Sequence, residues 1–163
     1  YKKAFKLRPS SETAALGVAE AEAAAGLESQ AETAFRTGIR RFPKAAPLYR
    51  GYGKTLLQLS AEGAPDAKHR AALALETAVH LDSSDWEARY LLGNLRLSEG
   101  KPRVALPDLI AAARLAPKEG KVRFALWRAY NELGMNVQAH KQLDIFRQLQ
   151  RAAPSPKAMS DAR

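Results

Sequence analysis

Five residues punctuate this chain at near-constant intervals. Pro9, Pro43, Ser83, Pro117 and Arg151 close consecutive blocks, with gaps of 34, 40, 34 and 34 residues. A period in that range marks supersecondary units that cannot bury their apolar faces alone and therefore stack. It restricts the chain to a repeat architecture before any single residue is weighed. It also bears on function, because stacked repeats present extended binding surfaces and seldom carry chemistry of their own.

Residues 84–117 form the cleanest block. Ser84-Asp85-Trp86-Glu87 is a capping-box pattern that starts a helix. Trp86, Tyr90, Gly93 and Leu97 follow at helical spacing. Gly100-Lys101-Pro102 then breaks the chain, with glycine past one helix end and proline opening the next. Ala105, Leu109, Ala112 and Leu115 recur every three to four residues and make a second apolar stripe. The block reads as a helix, a tight turn and an antiparallel second helix. Block 118–151 has the same layout through Leu126, Tyr130, Gly134, Ala139 and Leu143. Block 10–43 matches through Val18, Gly26, Ala31 and Phe35, and block 44–83 through Tyr49, Gly53, Leu56, Ala71 and Ala78.

These residues resemble the tetratricopeptide repeat, a helix–turn–helix unit of about 34 residues. Small residues recur at its tight helix crossings. Gly53 and Gly93 fill one such position. Ala31, Ala71, Ala105 and Ala139 fill a second, and Gly38, Ala78 and Ala112 a third. The resemblance covers residues 1–151 and implies an all-α fold: a right-handed α-solenoid of stacked antiparallel helix pairs. Repeats are expected at 10–43, 44–83, 84–117 and, as the terminal unit, 118–151. Residues 1–9 read as the second helix of a truncated preceding repeat, with an unpaired apolar side able to drive self-association. Residues 152–163 read as a disordered tail.

Departures from the pattern carry their own expectations. Block 44–83 is six residues too long, and the excess falls in turn-rich Ser60–Arg70, so a lengthened inner turn is expected there. Trp127 and Phe146 replace small residues in the last block, where no successor needs to pack closely. Pro107 sits inside the second helix of block 84–117 and predicts a kink or a late helix start.

The sequence offers no catalytic constellation. Gly51-Tyr52-Gly53-Lys54-Thr55 ends like a phosphate-binding loop, but Leu48 stands where that motif needs its first glycine, and the context is helical. His69, His80 and His140 are scattered, and the chain has no cysteine, so neither a metal site nor a cofactor is expected. No apolar run is long enough to cross a bilayer. Absence of cysteine suits the cytoplasm and a bacterial extracytoplasmic compartment equally.

In the tetratricopeptide family the first helix of each unit lines a groove that takes peptides or partner helices. Carried over, the resemblance assigns groove positions to Leu16, Glu20 and Ala23 in the first block and to Arg50, Lys54 and Gln58 in the second. Tyr90, Asn94 and Leu97 follow in the third, and Lys121, Phe124, Arg128 and Asn131 in the fourth. Glu20, Lys54, Asn94 and Arg128 share one register and form a ladder, polar or cationic from the second block onward. With Tyr90 and Phe124 beside it, that ladder suits an extended peptide with acidic groups. The Lys–Asn–Asn–Lys–Arg clamp some family members use for chaperone C-termini is broken here, because Leu91 and Ala125 replace two of its residues. The expectation is a non-catalytic scaffold for a protein or peptide partner. Two alternatives stand beside it. A net charge of +9 also suits a basic helical-repeat nucleic-acid binder. The chain also reads as a regulatory repeat region attached to an enzyme outside it.

Overall fold

A computed structural model describes residues 11–64 and 66–152. The expectations for a lone helix at 1–9, for self-association through it and for a tail beyond Ala152 lie outside the described residues. Those residues form eight helices and no strand: α1 (Glu12–Ala24), α2 (Glu28–Arg41), α3 (Ala46–Ala61), α4 (Ala67–Leu81), α5 (Trp86–Ser98), α6 (Pro102–Leu115), α7 (Gly120–Glu132) and α8 (Asn136–Ala152). The chain divides into two compact units, Tyr1–Leu92 and Gly93–Arg163, with the division inside α5.

In the first unit α1 packs on α2, α2 on α3, and α3 on α4. Its core is set by small residues that admit large ones. Phe35 of α2 is fully buried among Ala19, Ala31, Ala45 and Leu48. A Cβ on Gly51 would lie 2.4 Å from the Phe35 ring, so α3 approaches α2 through bare backbone. A Cβ on Gly53 would likewise lie 2.7 Å from Leu75 of α4. Burying Phe35, Leu48, Leu56 and Leu75 contributes about 1.5–3 kcal/mol each.

The second unit repeats the device. Gly93 of α5 meets Leu109 of α6, again at 2.7 Å from a built Cβ. Ala105, Ala112, Val122, Ala129 and Ala139 are buried behind it. The alanines at corresponding places in the four second helices, Ala31, Ala71, Ala105 and Ala139, are all at most 3% exposed. A larger side chain at any of them would push a helix off its neighbour.

Turn glycines decide where first helices stop. Gly100 has φ +70°, a left-handed conformation that closes α5 after Ser98, and the Lys101 N–H then donates to the Arg96 carbonyl at 2.9 Å. Gly63, at φ +89°, does the same for α3, with Ala64 donating to Leu59 at 3.0 Å. Because Gly63 comes late, α3 runs to 16 residues where α1, α5 and α7 have 13. The extra length of block 44–83 therefore enters α3 as well as the turn, which differs from the expected loop insertion.

Two further expectations need correction. The cap of α5 is Asp85, not Ser84: the Ala88 N–H donates to Asp85 Oδ1 at 3.0 Å. Ser84 instead donates, by hydroxyl and backbone N–H, to the Asp82 carboxylate at 2.6 and 2.9 Å. Asp82 is the better turn former here, because its carboxylate takes both Ser84 donors at once. Of the two outcomes expected for Pro107, the late start does not occur: α6 starts at Pro102 and holds Pro107 within it. Buried Leu109 and an ion pair from Asp108 to Arg96 anchor the residues that follow the proline.

One regularity is invisible in the residue pattern. The residues that close the blocks accept hydrogen bonds from six positions on. Tyr49 Oη donates to the Pro43 carbonyl at 3.2 Å, Arg89 Nε to Ser83 at 2.8 Å, and Arg123 Nη2 to Pro117 at 3.1 Å. Phenol and guanidinium serve the same purpose, satisfying a loop carbonyl that no helix can reach.

Candidate functional site

The first helices carry the residues assigned to a groove. In the first unit Glu20 and Ala23 of α1, Arg50, Lys54 and Gln58 of α3, and Glu87 of α5 line one cleft of about 250 Å³. Its lining includes Gly51 and Phe35, which touch closely because Gly51 has no side chain. Five positions that the resemblance assigns to a groove line this one hollow.

The electrostatics of this cleft differ from the sequence expectation. Arg50 Nη1 donates to Asp85 Oδ2 at 2.8 Å, and its Nε lies 3.7 Å from Glu87 Oε2. The Asp85 side chain is 5% exposed, so Arg50 meets a desolvated carboxylate. Arg50 is consequently a buttress between α3 and α5 rather than an open cation. Lys54 is exposed and is the cation that the cleft presents to solvent, with Glu20 on the opposite wall. Asp85 and Glu87 escaped the groove assignment. Their signal was separation: Asp85 lies 35 residues from Arg50, about one repeat, the distance at which stacked helices meet.

In the second unit Arg128 of α7 donates through Nη1 to Asn94 Oδ1 at 3.4 Å, and its Nη2 lies 3.9 Å from Glu132. The contact again spans one repeat, 34 residues. Phe124 is 40% exposed, with its ring centroid 5.0 Å from Trp127 and 5.4 Å from Phe146. The two bulky replacements in the last block therefore build an aromatic cluster that ends at the surface.

No family model matches the sequence, and no curated protein sequence matches it. Solved structures do. The structure of MamA superposes with a TM-score of 0.77 at 21% identity, covering 93% of this chain and 85% of that one. PilF of Pseudomonas aeruginosa gives 0.78 at 21% identity, covering 90% of this chain and 64% of that one. A thermophilic TPR protein of Thermus thermophilus gives 0.76 at 20% identity over 98% of this chain and 82% of its own. The fold is that of the tetratricopeptide-repeat proteins. It is an all-α helical-repeat architecture, as the spacing predicts.

Within that TPR-like fold the remaining assigned residues divide. Tyr90 is half-buried on α5 and does not line the cleft of the first unit. Lys121 and Asn131 are exposed near opposite ends of α7. Among the described residues no group of three or more His, Asp or Glu is placed to hold a metal ion. No described helix is long and apolar enough to cross a membrane.

Proposed function

We propose that this TPR-like chain is a non-catalytic protein-interaction module whose first helices hold an extended peptide. The observation that carries the reading is the meeting of Glu20, Ala23, Arg50, Lys54 and Gln58 in one cleft. A peptide strand in such a hollow finds an ammonium at Lys54, an amide at Gln58 and a short apolar wall at Ala23. An acidic side chain of the peptide pairs with Lys54, since Arg50 is already neutralised. In the second unit Phe124 supplies an apolar contact and Asn94 with Arg128 a polar one.

Selection from a random peptide library against the full chain tests this. Selected peptides should be enriched in Asp and Glu, and Lys54→Glu should weaken them at least several-fold without changing the melting temperature. Unchanged affinity in Lys54→Glu would reject the cleft. Submicromolar binding of single-stranded RNA with a steep salt dependence, in place of peptide binding, would reject the module altogether.

A further inference from the structure

The second helices carry clefts of their own, and one in each unit is lined by cations without a carboxylate. In the first unit a cleft of about 380 Å³ lies between α2 and α4 over tyrosines of α3. Its charged residues are Arg36, Arg40 and Arg70. In the second unit a cleft of about 570 Å³ lies between α6 and α8 over α7. Its charged residues are Arg114, Arg123 and Lys141. No carboxylate lines either, whereas the first-helix cleft mixes Glu20 and Glu87 with Arg50 and Lys54.

The two clefts divide labour among their cations alike. One arginine in each is held by partners within its own unit. Arg70 pairs with Glu32 and the Tyr52 hydroxyl. Arg123 donates to the carbonyls of Ala113 and Pro117 and to Gln142. The other two cations in each face solvent. Arg36 and Arg40 are exposed on α2, one turn apart, and Arg40 makes only a 3.5 Å contact to the Thr37 hydroxyl. Arg114 and Lys141 are exposed on α6 and α8. Apolar surface lies between the open cations. Leu73 is 51% exposed beside Ile39 and Ala74 in one cleft, and Ile110 lies beside Ala113 in the other.

From this recurrence we propose that the second-helix cleft of each unit docks an acidic, amphipathic protein segment. Carboxylates of that segment pair with Arg36 and Arg40, or with Arg114 and Lys141. Its apolar side chains cover Leu73 or Ile110. Charge complementarity selects an anionic partner, and the apolar floor selects a protein over nucleic acid. The Arg70 guanidinium lies 5.8 Å from the centroid of the Tyr52 ring and covers a face on which a base would stack. The proposal is independent of the Lys54 cleft, which is lined by first helices.

The test titrates the isotope-labelled full chain with a synthetic helical peptide carrying Leu along one stripe and Glu on its flanks. Amide shifts should move at Arg36, Leu73 and Thr77 and at Ile110 and Arg114. Neutralising the open cations together (R36Q, R40Q, R114Q, K141Q) should weaken binding about tenfold, since each exposed pair contributes modestly. K54E should leave the shifts at Arg36, Leu73, Ile110 and Arg114 unchanged, which separates the outcome from that of the first-helix reading. A peptide with Gln in place of Leu should bind more weakly. Shifts confined to the Lys54 cleft would overturn the proposal, as would their absence at millimolar peptide. Tighter binding of single-stranded RNA at the same arginines would overturn it in favour of nucleic acid. The map on the unsubstituted chain stands even if the fourfold variant folds poorly.

Discussion

Arg50 donates to one oxygen of Asp85 at 2.8 Å while the other oxygen of that carboxylate caps α5 at the Ala88 N–H, 3.0 Å away. One side chain therefore satisfies a helix end and neutralises a cation of α3. The two tasks reinforce each other, because a carboxylate held by a guanidinium is also fixed in the capping geometry. Asp85→Ala removes both and should destabilise the chain by about 1–3 kcal/mol. Asp85→Asn keeps a capping acceptor and should lose less. Urea unfolding of the two variants checks the order, and equal stability of Asp85→Ala and the unsubstituted chain would refute the dual role. Arg50→Glu should also unfold the chain more easily, since it sets a third carboxylate beside Asp85 and Glu87. It is for that reason a poor probe of ligand binding.

Gly93 is a crossing point rather than a hinge. A methyl there would lie 2.7 Å from Cγ and Cδ2 of Leu109, which is fully buried and cannot swing away. Gly93→Ala should cost about 1–3 kcal/mol despite the better helix propensity of alanine. Leu109→Ala should relieve the clash, so the double variant should be more stable than the sum of the single losses predicts. A strictly additive thermal-melt cycle would show that the helices part freely here.

The turn before α5 predicts a titration. Hydrogen bonds from the Ser84 hydroxyl and then the Ser84 backbone hold the Asp82 carboxyl below its ordinary value of 3.8. The charged form is thus favoured in the folded state. The associated stability is present above the unfolded value and is lost as pH falls through the folded one. Ser84→Ala deletes the larger cause and should move the Asp82 titration, followed by carboxyl carbon shifts, back toward 3.8. An unmoved titration would mean that the hydroxyl does not bond in solution.

Much of the fold was legible because packing geometry repeats and so leaves a period. Ala31, Ala71, Ala105 and Ala139 are small for a reason that recurs in every unit, and each is buried. Glu20, Lys54 and Gln58, which line the cleft, were positions that the resemblance to the repeat family assigned. What was hidden has no period or is set across repeats. The Arg50–Asp85 pair joins α3 to the residue that caps α5, and only the stacked arrangement brings them together. The extra length of block 44–83 entered α3 because a single residue, Gly63, sets the stop point, a detail that composition blurs. The loop-carbonyl bonds from Tyr49, Arg89 and Arg123 escaped because unlike side chains do the same work. The basic second-helix clefts escaped because net charge carries no address until Arg36, Arg40 and Leu73 share a surface.

Pro107 offers a gain of stability. It lies within α6, where its ring nitrogen has no hydrogen to give the Arg103 carbonyl one turn back. The helix forms nonetheless, drawn on by buried Leu109 and the Asp108–Arg96 pair. Pro107 is exposed, so its replacement by alanine opens no buried cavity. Pro107→Ala should therefore stabilise the chain by about 1–2 kcal/mol, the regained helix term less the entropy returned to the unfolded chain. A raised melting temperature with faster hydrogen exchange nowhere in α6 is the expected result. A lowered one would mean that the proline ring is packed as part of the surface between the helices, and that α6 needs it there.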